Sequence, residues 1–488
     1  MPPKTEHVPV VVVGAGLAGV ALGVRLREAG IEDLAILERA DSVGGVWREN
    51  TYPGCACDVP SALYSFSFAP NPDWSRAYAT QPEILAYAQR VAREHDLERF
   101  VRFDTELRDA RWDQRHRRWR LKTNRGSLTA GVLISATGPF GEPVIPDIPG
   151  REDFAGTTFH SARWDHDHDL RGERVAVIGT GASAAQFIPQ IQPEAGQLLV
   201  FQRTPPWIMP RLDFRAPWLQ RSLFKAVPQS QRAIRGGIFT MIEGLGLVAF
   251  VDQRFRHFYE AIGRLQLRRQ IPDGRLRARL TPDYVVGCKR AILTDAYLPS
   301  LTRVNVDVIT DRIARISERG IVTTDGAQHA VDTIIWGTGF DAPSRRAKVI
   351  RGRDGRSVID VYDERPQSYL GTTLHGFPNL FVILGPYAAA GNQSALYMIE
   401  NQVRYVVDAV RTMRDQNIAV VEVSSDAQEE FLAEVERRSQ STVWVNGGCR
   451  SYYQTPDGRN AGLWPNWSFE FARRTRRFDL AAYDIHAA

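Results

Sequence analysis

Cysteine is scarce: four residues, at positions 55, 57, 288 and 449, serve a chain of 488. So thin a supply argues against a disulfide framework and fits a reducing cytosol. The close pair Cys55 and Cys57 has no second cysteine or histidine cluster at ligand spacing, so no metal site is expected. Long apolar runs are missing too. The longest, residues 236–251, is interrupted by Glu243 and falls short of the ~20 residues a membrane span needs. It reads as a packed helix or one that touches a membrane surface. The first six residues lack a secretory pattern. These absences together predict a cytoplasmic chain without a transmembrane segment. Charge is not bunched either. The net +5 is spread along the chain, and the short basic stretches 115–118 and 473–477 read as solvated faces, so no nucleic-acid partner is expected.

What is present is an ordinary globular composition, 43% apolar and 24% charged, in a chain long enough for two or three cores. Residues 10–13 are four consecutive valines, as in a strand buried on both faces. Pro9 suits the first position of that strand, where no ladder donor is needed. Gly14-Ala15-Gly16-Leu17-Ala18-Gly19 follows, then a helical pattern over 20–29 and a second apolar run, 34–37, that ends in Glu38. The glycines permit a tight turn and a close approach to a pyrophosphate seated on the helix N-terminus. Glu38 stands where it can accept hydrogen bonds from ribose hydroxyls.

The pattern recurs. Residues 174–179 read as a strand leading into Gly179-Thr180-Gly181-Ala182-Ser183-Ala184, with a helix through Ile188 and a third strand at 197–201. Arg203 now follows instead of a carboxylate, which favours NADP because an acid would repel a 2′-phosphate. Two dinucleotide sites imply a relay between cofactors: FAD at the first, NADPH at the second. No Cys-x-x-Cys accompanies them, so a disulfide is a poor electron acceptor and oxygen leads.

Other segments carry a resemblance. Phe154-Ala155-Gly156-Thr157-Thr158-Phe159-His160-Ser161-Ala162-Arg163-Trp164-Asp165 matches a fingerprint at Phe154, Gly156, His160, Trp164 and Asp165. Gly44-Gly45-Val46-Trp47, Tyr52 to Asp58, Ala136-Thr137-Gly138-Pro139, Trp336-Gly337-Thr338-Gly339-Phe340 and Gly376-Phe377-Pro378-Asn379-Leu380 follow in order. With these the chain resembles the class B flavin monooxygenases, and within them the Baeyer–Villiger branch. The resemblance implies an α/β fold with two Rossmann-like dinucleotide-binding domains, for FAD and NADP, and a helical insertion. The FAD domain would take 1–150 and 341–488, the NADP domain 151–212 and 286–340, and the insert 213–285. Ala136 to Gly138 and Gly337 to Gly339 would mark the chain crossings between domains.

The resemblance also assigns roles. Gly45, Val46, Trp47, Asp58, Tyr64, Gln186 and Thr204 join the two glycine-rich turns and Glu38 as cofactor contacts. Arg203 and Lys289 grip the NADP 2′-phosphate, and Trp444 matches a mobile tryptophan covering that coenzyme. NADPH reduces FAD, O2 adds to it, and the resulting C4a-peroxyflavin attacks a ketone, giving an ester or lactone. Arg290 supplies the fixed cation this needs, and Asp58 orients it. Such enzymes often oxidise sulfides as well. The run Asp165-His166-Asp167-His168-Asp169 reads as a surface loop, not a metal site. One segment departs from the family: Gly385-Pro386-Tyr387-Ala388-Ala389-Ala390-Gly391-Asn392 replaces Gly-Pro-Asn-Thr-Gly-x-Gly-His, which leaves substrate preference open. The rivals are an N- or S-oxygenating sister enzyme and a flavin dehydrogenase or NADPH oxidase. The residues name neither the ketone nor the oligomeric state.

Overall fold

The computed structural model describes residues 5–251, 253–341 and 345–487. The first four of the six residues read above as lacking a secretory pattern lie outside the described residues. The valine run forms the centre of an eight-stranded sheet because a β-branched strand is stable when both faces are buried. Glu6–Val13 lies between Leu34–Leu37 and Gly126–Ser135, parallel to both. Beyond Gly126–Ser135 come Arg118–Thr123, Leu107–Asp113 and Ile350–Arg351, and beyond Leu34–Leu37 comes Val101–Arg102. Leu380–Val382, from the last third of the chain, adds to Gly126–Ser135. Val11 and Val12 are fully buried.

The second glycine-rich segment opens a five-stranded parallel sheet. Its order is Val306–Ile309, Gln197–Phe201, Arg174–Ile178, Thr333–Trp336 and Thr157–His160. The chain leaves this sheet through Ile208–Met209, forms helices Trp218–Ala226, Pro228–Val251, Gln253–Gln270 and Gly274–Arg279, and returns through Ile292–Leu293. The two short strands pair in parallel and pin both ends of the insert together.

The expected strands at 34–37 and 197–201 fall where the sequence puts them. Pro9 does not. The first strand starts at Glu6, so Pro9 is interior to it. Pairing runs Val8↔Ala130 and then Val10↔Val132, passing over Pro9. The strand facing it has Gly131 close to the Pro9 carbonyl, where a Cβ would stand 3.1 Å from the oxygen. A small residue opposite accommodates the missing donor.

Both glycine-rich turns back onto a chain crossing. Gly14, at φ +105°, would place a Cβ 2.7 Å from the Ala136 carbonyl oxygen. Gly179, at φ +109°, would place one 2.4 Å from that of Gly337. Each position therefore excludes any side chain, by contact and by backbone conformation. Gly14→Ala should lower the unfolding free energy by at least the ~1–3 kcal/mol of a strained φ and lose FAD retention. Chemical denaturation and the flavin absorbance of the purified protein measure the two effects.

Candidate active site

The two Rossmann helices lack the side-chain caps that several other helices of the chain carry. Thr80 and Ser357 close capping boxes, and Asp273 and Ser424 accept from backbone N–H groups of the helices they begin. Leu17–Glu28 and Ala182–Ile191 begin at Gly16 and Gly181 with no side-chain cap and no acid in the first turn. Their first N–H groups are left for an outside acceptor, and an anion is the favoured one. At the first turn, Gly16 approaches Gly45 so closely that a Cβ on Gly45 would stand 2.8 Å from the Gly16 Cα. Only glycines leave that cleft open. Glu38, buried, accepts from Ala15 N–H at 2.8 Å and Ala40 N–H at 3.0 Å, and Arg48 donates to it at 3.2 Å. Ala18 is half-buried on the helix and Gly19 packs its backbone against Gly14. These residues fit an FAD pyrophosphate and ribose. Val46 lies half-buried beside the cleft, and Trp47 donates to the Tyr64 hydroxyl at 3.0 Å.

At the second turn Gly181 faces open space, Gly181 and Ala182 are exposed, and Ser183 is half-buried. Thr180 donates to the Thr204 carbonyl at 3.3 Å, which ties this turn to the segment carrying Arg203. Arg203 is exposed. Burial and the Arg203 charge both pull the Lys289 ammonium below its ordinary range. Lys289 also lies over the Tyr284 ring, 5.0 Å from its centre. Two cations held close oppose each other until an anion joins them, so this corner fits the phosphates of NADP.

Between the turns stands an ion pair. Arg290 donates from Nε to Asp58 Oδ2 at 2.5 Å and from Nη2 to Oδ1 at 2.8 Å. About a third of the arginine side chain and a quarter of the aspartate remain open. Burial works to raise the Asp58 pKa, but the Arg290 charge, its hydrogen bonds and Arg211 hold the carboxyl below its usual range. The Asp58 charge in turn lifts Arg290 well above an ordinary guanidinium. Among the described residues no acceptor stands on Nη1.

The Asp58 loop is held by Gln186 and by Arg211. Gln186 receives the Tyr52 hydroxyl at 3.0 Å and Ala56 N–H at 3.3 Å, and donates to the Ala56 carbonyl at 2.9 Å. Expected as a cofactor contact, Gln186 has both ends of its amide engaged across the seam between the sheets. Arg211 donates to the Cys57 carbonyl at 3.2 Å. Cys55 and Cys57 are buried thiols, the first pushed up to about 11 by desolvation and the second higher still. Neither is a poised nucleophile.

The fingerprint residues lie on and beside Thr157–His160, the edge strand of the second sheet. Gly156 lets the Asp332 carbonyl approach where a Cβ would meet it at 2.2 Å, and half-buried Phe154 packs over it. Trp164 lies edge-on to Phe159 and tilted against Phe187, both at 5.2 Å. His160 accepts from Ala162 N–H, and burial pulls its pKa down to about 4, so it stays neutral under the Phe340 crossing. Asp165 accepts from Asp167 N–H in an exposed turn. His168, expected on the surface, is mostly buried and meets Glu173 and Thr333 at 3.0 and 2.8 Å.

Two differences concern the last third. Trp444, expected over the coenzyme, is buried in a cluster with Val443, Tyr453 and Leu463 and backs onto Gly391. In the departing loop, Tyr387 adopts φ +66°, the left-handed region that asparagine tolerates well. Its hydroxyl is anchored on the Pro366 carbonyl at 2.9 Å, which keeps the loop's path with a bulkier side chain.

The cysteine reading also needs correction. Cys288 and Cys449 form a disulfide across 161 residues. The residue beside Lys289 and Arg290 is thus bonded to the segment carrying Trp444, and Val285 N–H donates to the Gly447 carbonyl alongside at 3.0 Å. Distance along the chain hid this pair; scarcity did not exclude it. Sequence reading also missed Arg211 and the pair Tyr452 and Tyr453, which flank Arg290. The pairing of Ile208–Met209 with Ile292–Leu293, and that of Arg215 with Arg76, bring Arg211 to the site.

Comparison with known proteins decides the family. A profile described as pyridine nucleotide-disulphide oxidoreductase matches residues 11–236. A Baeyer–Villiger monooxygenase of Streptomyces coelicolor is 45% identical, over 98% of this chain and 93% of its own length. The chain belongs to the Baeyer–Villiger monooxygenases. Solved structures of monooxygenases share the fold over nearly the whole chain. A steroid monooxygenase bound to NADP is 30% identical with a TM-score of 0.87, over 99% of this chain and all of its own. A complex of the monooxygenase OTEMO with FAD and NADP gives 27% and 0.87 over the same shares. The enzyme is an FAD-dependent NADPH monooxygenase of this family, with a small-molecule substrate and O2. No helix among its described residues is long and apolar enough to cross a membrane.

Peptide mapping without reductant should recover Cys288 and Cys449 in one linked peptide pair. Cys449→Ser should lower stability by about 2–4 kcal/mol, as loss of a long-loop cross-link does. Free thiols at both positions in the native enzyme would contradict the bond.

Proposed function

We propose that this enzyme inserts one oxygen atom beside a ketone carbonyl, with Arg290 as the catalytic cation and Asp58 as the residue that positions it. Bound FAD, reduced by NADPH, supplies the activated oxygen. The bidentate Asp58–Arg290 pair carries the reading. When a nucleophile adds to a ketone, the carbonyl oxygen becomes an anion, and a charge already in place stabilises it without reorganisation. A guanidinium keeps its proton throughout, and Asp58 takes Nε and one Nη2 hydrogen, which leaves Nη1 for that oxygen. Oxygenation of nitrogen or sulfur builds no such oxyanion and needs no such cation.

The glycine-rich turn at Gly14–Gly19 and Glu38 bind FAD. Gly179–Ser183, Arg203, Thr204 and Lys289 bind NADPH. Sheet membership supports an FAD domain of 1–150 and 341–488, an NADP domain of 151–212 and 286–340, and an insert of 213–285. The coenzymes are those of the cytoplasm, where we place the enzyme, although the Cys288–Cys449 bond weighs against a uniformly reducing setting.

Arg290→Ala should cut ester or lactone formation by ~10²–10³ while NADPH still bleaches the flavin at close to the native rate. Rapid mixing with NADPH, followed by product analysis under oxygen, separates the two steps. Undiminished product would overturn the assignment, and a block confined to flavin reduction would move Arg290 to coenzyme binding. Arg203→Ala should erode the preference for NADPH over NADH by roughly tenfold to a hundredfold, the worth of one charge-assisted contact to a phosphate. Steady-state kinetics with both coenzymes reads it.

A further inference from the structure

The helical insert carries a surface that the site above does not use. Residues 213–285 hold thirteen arginines and lysines against six acids, a net +7 in a chain whose total is +5, so the remainder is slightly acidic. Four of the six acids are engaged within the protein. Asp213 pairs with Arg76, Glu260 faces Arg264, Glu243 is buried on Ser468, and Asp273 caps the helix Gly274–Arg279. The outward charge of the insert is therefore cationic.

Its helices also turn apolar side chains to water. In Trp218–Ala226 the buried side chain is Phe224. Trp218, Leu219 and Leu223 are 71%, 64% and 46% exposed, the reverse of a helix that faces a core. In Pro228–Val251, Ile234, Met241 and Leu245 are exposed by 40%, 55% and 53%. Steps of seven and four residues put these three within about 40° of arc, at ~100° per residue. Glu243, buried, lies on the other side of that helix. Arg221, Lys225 and Arg232 are interleaved with the apolar residues; Lys225 pairs with Asp73 at 2.7 Å at the rim of this face, and the stems of all three can lie along apolar surface.

We propose that this face docks the enzyme on a lipid bilayer rich in anionic headgroups, with the insert helices lying in the plane of the interface. Apolar residues rimmed by arginine and lysine are the pattern of an interfacial helix. An exposed tryptophan suits the headgroup level, and each nearby cation adds attraction to an anionic leaflet. A second copy of the same face would set one +7 surface against another, which disfavours a symmetric dimer through it. This docking does not depend on which substrate is oxidised.

The test uses FAD-loaded enzyme and sedimentation with vesicles of phosphatidylcholine alone or mixed with phosphatidylglycerol. Binding to the mixed vesicles should exceed binding to pure phosphatidylcholine at least about tenfold and weaken as salt is raised, since charge attraction is screened. Trp218→Glu with Leu219→Glu should reduce it by a similar factor, and so should Arg221→Glu with Lys225→Glu, which spares the apolar residues. Flavin reduction by NADPH should persist in both variants, which shows that they are folded. No binding to anionic vesicles, or equal binding to both kinds, overturns the proposal. So does a dimer in sedimentation velocity that Trp218→Glu with Leu219→Glu dissolves, because the face would then belong to a second copy.

Discussion

A carboxylate and a guanidinium 232 residues apart meet in one bidentate contact, and much of the molecule is arranged to bring them there. The Asp58 loop shares a core with the valine strand through Cys55, Cys57 and Val59. It is gripped by Gln186 from the helix that follows the second glycine-rich turn and by Arg211 from the edge of the insert. Arg290 arrives at the far end of the insert, between the short strand Ile292–Leu293 and the disulfide at Cys288. Neither charge would be stable alone at this depth, since a half-buried ion without its partner costs several kcal/mol. Together they hold a cation at the seam between the two sheets.

Around that pair the protein leaves other costs standing. Two helices start without caps, and Lys289 sits beside Arg203 although burial and like charge both oppose it. The helices Gln81–Glu94, Gly274–Arg279, Val358–Glu364 and Ser425–Ser439, by contrast, carry side-chain caps. Such departures from local stability mark places where a ligand completes the structure, and here both pyrophosphate turns and the 2′-phosphate corner show them. The fingerprint stretch serves a different end. Gly156 lets the edge strand approach Asp332, Trp164 packs on Phe159 and Phe187, and His160 lies under the crossing at Phe340, so together they set that edge of the second sheet.

Local chemistry was legible in the sequence. A valine run, glycines at fixed steps and Glu38 act on neighbours a few residues away, and the strands and turns form where those patterns stand. Pro9 shows the limit of that reasoning, because the glycine that tolerates it lies on another strand. The partnership of Asp58 with Arg290 was reached through resemblance; no spacing reveals contacts over such a distance. Arg211 and the Cys288–Cys449 bond were missed for the same reason, and in the second case a rule about compartments pointed the wrong way. The burial of Trp444 was not legible because burial is a collective property of Val443, Tyr453 and Leu463, which one residue's identity does not announce.

The central claim is that Asp58 and Arg290 act as one device. A double-mutant cycle on ketone oxygenation tests it most directly, comparing Asp58→Ala, Arg290→Ala and the combined variant with the native enzyme at saturating NADPH. Residues that work as a unit are strongly non-additive. The account predicts that the double variant is no slower than Arg290→Ala alone, because without the guanidinium the carboxylate has nothing to position. Losses that multiply across the cycle would contradict it, since they would mean that the two side chains contribute to the reaction independently.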